Sequence, residues 1–99
     1  MKKASEVQFI DPALKKAYEE LKSGTKDEID LHRVLTRAFE DIQKNAFCGI
    51  QIPKKQIPKV YLKNYGIRNV WKYNLPNAWR LIYSIKGGSI IVLSIILRM

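Results

Sequence analysis

Trp79-Arg80-Leu81-Ile82-Tyr83-Ser84-Ile85, followed by Lys86-Gly87-Gly88 and then Ser89 to Met99, decides the fold of this 99-residue chain. β-branched and aromatic residues fill both runs, and the Gly-Gly pair between them is a turn signal. Upstream, Val70-Trp71-Lys72-Tyr73-Asn74-Leu75 is a third run of the same kind, set off by Pro76-Asn77-Ala78. Strands at 70–75, 79–86 and 89–98 make a three-stranded antiparallel meander. The two-residue period puts Trp79, Leu81, Tyr83 and Ile85 on one face and Arg80, Ile82 and Ser84 on the other. Lys72 and Asn74 share a face opposite Trp71, Tyr73 and Leu75, so Lys72 and Arg80 can lie on neighbouring strands facing the same way.

Working outward, Glu6 to Ile10 reads as a short first strand. Asp11-Pro12 is a helix start, with the carboxylate at the N-cap and proline at the first helical position. Leu14, Ala17, Tyr18 and Leu21 follow at helical spacing. Ser23-Gly24 stops that helix near residue 23, and Thr25-Lys26-Asp27-Glu28 is a capping box opening a second helix over 26–46. Its apolar stripe is Leu31, Leu35, Ala38 and Ile42. Residues 49–69 read as a linker interrupted by Pro53 and Pro58. The expected architecture is one α+β domain over 1–99, with a two-helix hairpin on one face of a small antiparallel sheet, in the order β-α-α-β-β-β.

Composition bounds the function. Hydrophobic content of 46% with 27% charged residues argues against wholesale disorder. One cysteine, Cys48, excludes an internal disulfide framework and a cysteine-rich metal site. The start is basic, but no apolar run follows it, which predicts no secretory leader. The run Ile90 to Leu97 is too short to span a bilayer as a helix, so no membrane association and a cytoplasmic location are expected.

The net charge of +9 is unevenly placed. All 9 acidic residues lie at or before Asp41, and residues 51–99 carry half of the 18 Lys and Arg with no acid at all. A neutral helical half joined to a strongly positive half favours a polyanionic partner. Within 49–69, Lys54, Lys55, Lys59, Lys63 and Arg68 alternate with Tyr61 and Tyr65, a pattern suited to phosphate contacts and base stacking. Tyr61 is equally able to sit in the core.

Catalytic constellations of the common kinds are missing. His32 is the sole histidine, mid-helix among charged neighbours, and reads as a surface or boundary imidazole. Without a second histidine there is no zinc site, and there is no phosphate-binding glycine loop. Ser84 and Ser94 read as packing residues. Chemistry on a phosphodiester would have to use cations, with no metal and no cofactor. Arg80 has three available partners: solvent, a helix carboxylate such as Asp41, or a bound phosphate.

Trp79-Arg80-Leu81-Ile82-Tyr83, with Trp71 to Leu75 before it and Ser89 to Leu97 after it, resembles the RelE/ParE superfamily of toxins from type II toxin–antitoxin systems. The resemblance is specific over about residues 69–98. In RelE-like members it implies a ribosome-dependent endoribonuclease that cuts mRNA with the message's own 2′-hydroxyl as nucleophile. Carried over by position, Arg80 would stabilise the phosphate, Lys72 would lie near the scissile bond, and Arg98 would stand for a second arginine after the last strand. The implied partners are a cognate antitoxin, the ribosome and mRNA. Asn74 stands where a second lysine is common, and the sequence ends at Met99, before the tail that often carries a catalytic tyrosine. Those departures keep two alternatives open, a gyrase-inhibiting ParE-like toxin and a non-catalytic RNA-binding or interaction protein with the same fold. Because Ser89 to Leu97 is apolar on both faces, an exposed apolar strip with self-association or dependence on a partner is also expected.

Overall fold

The computed structural model describes residues 6–97 and is α+β. Along the chain run β1 (Glu6–Phe9), α1 (Pro12–Glu20), α2 (Lys26–Lys44), β2 (Ile50–Ile52), α3 (Lys59–Tyr65), β3 (Val70–Asn74), β4 (Trp79–Lys86) and β5 (Ser89–Leu97). The order β-α-α-β-β-β is therefore corrected, because 49–69 is no plain linker. Pro53 and Pro58 delimit elements there: the first follows β2, and the second is the N-cap of α3. A strand of three residues and a helix of seven are too short to leave a legible period in sequence.

The five strands form one sheet in the order β1-β5-β4-β3-β2. β1 pairs with β5 in parallel, Val7 beside Ile90 and Phe9 beside Val92, while the other pairings are antiparallel. The sheet is thus mixed rather than antiparallel. β1 feeds α1 and α2 before the chain returns at the opposite edge as β2, which leaves β1 alongside the last strand.

Local signals place the first two helices. Asp11 Oδ1 accepts from the Ala13 N–H at 2.8 Å, and Pro12 occupies the first turn. α1 ends at Glu20, short of residue 23, and residues 21–23 continue as a single 3₁₀ turn. The Thr25 hydroxyl accepts from Glu28 N–H while Glu28 Oε1 accepts from Thr25 N–H, closing the capping box of α2. Leu35, Ala38, Phe39 and Ile42 of α2 are buried against the sheet with Leu81, Tyr83, Ile90 and Val92.

The opposite face has its own core. Ile57, Ile67, Val70 and Leu93 are buried together there, with Tyr61 of α3 and Ile82 and Ile91 of the sheet packed around them. The sheet is covered by α1 and α2 on one side and by α3 with its flanking segments on the other, so helices on one face only is also corrected. A bulge makes this possible. Ile82 pairs with Ser94 and Tyr83 with Val92, which leaves Leu93 as the extra residue and turns it into the second core. Ile91 and Leu93 are thereby covered, whereas Ile96 and Leu97 stay 47% and 48% exposed. The apolar strip expected along β5 is confined to that end.

Tyr83 ties the sheet to the chain leaving α2. It is fully buried, donates to the Ala46 carbonyl at 2.8 Å and accepts from the Gly49 N–H at 3.2 Å. A Cβ at Gly49 would stand 2.6 Å from Tyr83 Oη and 2.7 Å from the Lys72 carbonyl, so the close approach requires glycine. Burial, reinforced by Cys48, pushes the Tyr83 hydroxyl up to about 12. Its folded pKa is raised, so the neutral phenol's contribution to stability is complete below pH 10 and is lost as pH rises from about 10 to about 12. Tyr83→Phe should lower unfolding free energy by about 1–3 kcal/mol in urea titration at neutral pH. The same variant should lose part of the wild type's alkaline destabilisation, measured as stability against pH above 10.

Candidate nucleic-acid interface

Register places the two strand cations. Lys72 lies opposite Ile82 and, on its other side, Ile50; Arg80 lies opposite Asn74 and Ile96. Lys72 and Arg80 are diagonal neighbours on the face away from α1 and α2, at a typical diagonal spacing of about 7–8 Å. Both are partly exposed. Arg80 also borders a cleft of about 240 Å³ with Asn74, Leu75, Ala78 and Trp79. The polypeptide bends sharply beside it, where Asn77 and Ala78 both take positive φ.

Carboxylates are elsewhere. Among the described residues the ion pairs are Lys16–Glu20 at 3.9 Å and Arg33–Asp30 at 2.9 Å, both within the helical half. Asp41, the helix carboxylate considered for Arg80, accepts instead from Tyr73 Oη at 2.9 Å on the other side of the sheet. Burial, with the Asp41 bond and charge, raises the Tyr73 pKa above the ordinary phenol value. Lys72 and Arg80 thus meet no carboxylate among the described residues, and their charge is directed at whatever approaches that face.

The five cations of 49–69 are not all brought together. Lys54 and Arg68 share a cleft of about 410 Å³ with Ile57, Leu62 and Gly66. Lys55 in the 3₁₀ turn at 54–56, and Lys59 and Lys63 on α3, are exposed outside that lining. Tyr61 is half-buried in the second core, while Tyr65 is 49% exposed. Arg98 lies outside the described residues.

Sequence reasoning passed over Lys86. The alternation that placed Arg80, Ile82 and Ser84 on one face extends two residues further to Lys86, so β4 carries a cation at each end of that face. Six residues of strand separate the two, about 20 Å. Lys86 lines a cleft of about 280 Å³ with residues that include Gly66, Arg68, Asn69 and Ser84. Asn69 braces its floor. Its side chain donates to the Ile85 carbonyl at 2.8 Å and accepts from the Ile85 N–H at 2.8 Å and the Ser84 hydroxyl at 3.2 Å.

Other candidates are structural. His32 stacks on Tyr18 at 4.6 Å between ring centroids, and the Tyr18 hydroxyl donates to Thr36, whose own proton goes to the His32 carbonyl. Desolvation and Asp41 raise the Cys48 thiol's pKa, the wrong direction for a nucleophile. Ser84 is buried and bonded to Asn69, a packing role. Among the described residues no three His, Cys, Asp or Glu side chains converge on a metal-sized site, and no helix is long and apolar enough to cross a membrane. A cleft of about 420 Å³ between Asp27, Asp30, Val34 and Trp79 is lined by no Lys or Arg and lies apart from this face.

Comparison with protein-family models, with curated proteins and with solved structures gave no match. The chemistry is accordingly read from these side chains. Removing the Asn69 brace strips three bonds from partly buried groups, so Asn69→Ala should destabilise the protein by about 2–3 kcal/mol and speed amide exchange at Ile85, measured by denaturation and hydrogen-exchange NMR.

Proposed function

We propose that this chain is a RelE-like toxin of a type II toxin–antitoxin pair, a metal-independent endoribonuclease that cuts mRNA on the ribosome. The observation that carries the reading is Lys72 beside Arg80 on one sheet face, with no carboxylate among the described residues paired to either. Such a pair is ready for a substrate phosphate, because a guanidinium and an ammonium fixed on adjacent strands need no rearrangement to meet developing charge.

In the proposed reaction the message's 2′-oxygen loses its proton to water and attacks the adjacent phosphorus. The bond from phosphorus to the 5′-oxygen breaks, leaving a 2′,3′-cyclic phosphate and a 5′-hydroxyl. Arg80 stabilises the extra charge on the equatorial phosphate oxygens. Lys72, on the neighbouring strand, supplies a proton to the departing 5′-oxygen. Placement of the nucleophile in line by the ribosome-bound message contributes the remainder of the rate gain. Arg98 enters only through the family resemblance, as a second arginine. Lys54, Lys55, Lys59, Lys63 and Arg68 form the wider positive field that draws RNA to this side. A cytoplasmic location follows from the ribosome as target, and the antitoxin would cover the cations with acidic segments and Ile50 and Ile96 with apolar ones.

Arg80 packs at a partly exposed position and forms no ion pair among the described residues, so Arg80→Ala should keep the wild-type melting temperature within a few degrees. The same variant should lose growth arrest and cut ribosome-bound mRNA about a hundredfold more slowly, a loss of about 3 kcal/mol of transition-state stabilisation. Primer extension on cellular mRNA reads the outcome. Full toxicity in a stable Arg80→Ala protein would overturn the assignment, and growth arrest without mRNA cuts would redirect the target to gyrase.

A further inference from the structure

The clefts flanking Gly66 form one feature. The cavity lined by Lys54, Ile57 and Leu62 and the one lined by Asn69, Ser84 and Lys86 have Gly66 and Arg68 in common. Gly66 closes α3 at φ +65°, a conformation that favours glycine, so the shared wall is bare backbone. A Cβ there would stand 3.9 Å from Lys86 Nζ, which puts the ammonium over the junction. Lys54, Arg68 and Lys86 thus border a single trough, and no ion pair among the described residues involves any of them. Its floor is held by the Asn69 bonds to Ser84 and Ile85 rather than by mobile side chains.

We infer that this trough is a second anion site, one that holds the phosphodiester backbone of single-stranded RNA several nucleotides away from Lys72 and Arg80. The inference rests on the ribonuclease reading above and specifies where its substrate runs. Three features support a strand backbone rather than a compact anion. The two cavities meet at Gly66 and Arg68, each adds a lysine of its own, Lys54 in one and Lys86 in the other, and the bare Gly66 backbone between them lets phosphates approach closely. Lys86 and Arg80 share one face of β4 about 20 Å apart, too far for one phosphate to touch both and suited to a chain that passes over both. The second core beneath, with Ile67 and Val70 buried, keeps the trough rigid.

The test is binding of a short 2′-O-methyl oligouridine, which cannot be cut, measured by fluorescence anisotropy across a salt series. Arg68→Ala and Lys86→Ala should each weaken binding about fourfold near 0.15 M salt and reduce the slope of log K against log salt by about 0.7. Lys86→Arg should restore both, and Lys16→Ala on α1 should change neither. Melting temperature of each variant separates lost contacts from lost fold. Unchanged affinity and slope in folded Arg68→Ala and Lys86→Ala proteins would overturn the trough. Equal affinity for duplex DNA of the same length would overturn the single-stranded assignment. A slope that falls as expected while the wild type cuts no mRNA would keep the trough and remove the ribonuclease reading. An unchanged slope beside Arg80-dependent cleavage would do the reverse.

Discussion

A sheet whose last strand is apolar on both faces has to be covered twice, and that constraint governs the rest of this molecule. Leu81, Tyr83, Ile90 and Val92 face α2, while Ile82, Ile91 and Leu93 face the α3 side. The bulge at Leu93 is where both demands are met within one strand. Burying a side chain of this size contributes about 1.5–3 kcal/mol, so leaving either face bare would forfeit several such contributions. The segment 49–69 has the residues for the second cover, Ile57 and Ile67, and its prolines and glycine deliver them to the sheet.

Covering the second face with a basic segment also sets the electrostatics. The segment that buries Ile57 and Ile67 brings Lys54 and Arg68 with it, beside a sheet that contributes Lys72, Arg80 and Lys86 on the same face. Acidic groups are held away by the chain order itself, since all 9 precede β2. Fold and charge separation therefore arise from one arrangement. At the uncovered end of the face, Ile50 and Ile96 stay exposed beside Lys72 and Arg80.

Legibility in the sequence followed element length and capping. The capping box at Thr25 and the Asp11-Pro12 start stood out as local hydrogen-bond devices at the head of helical periods, and β3, β4 and β5 as runs of β-branched and aromatic residues set off by turn residues. β2 and α3 did not, being shorter than the windows over which a period can be read. The parallel placement of β1 was invisible for another reason: pairing partners are set by tertiary packing, and Glu6–Phe9 alternates equally well beside any strand. At the candidate site, the common face of Lys72 and Arg80 followed from alternation alone. That Arg68 joins Lys54 and Lys86 while Lys55, Lys59 and Lys63 line neither cleft depends on where α3 docks, which no local pattern encodes.

The central claim is that this face performs transesterification at an RNA phosphate with cations and the substrate's own hydroxyl. The most direct measurement compares ribosomes programmed with an all-ribose message against ribosomes whose decoding-site codon carries 2′-deoxyriboses, scoring cleavage and end chemistry after adding the wild-type protein. The account predicts cuts with cyclic-phosphate and 5′-hydroxyl ends in the first and intact message in the second. Equal cleavage of the deoxy-substituted codon, or products bearing 5′-phosphates, would contradict it.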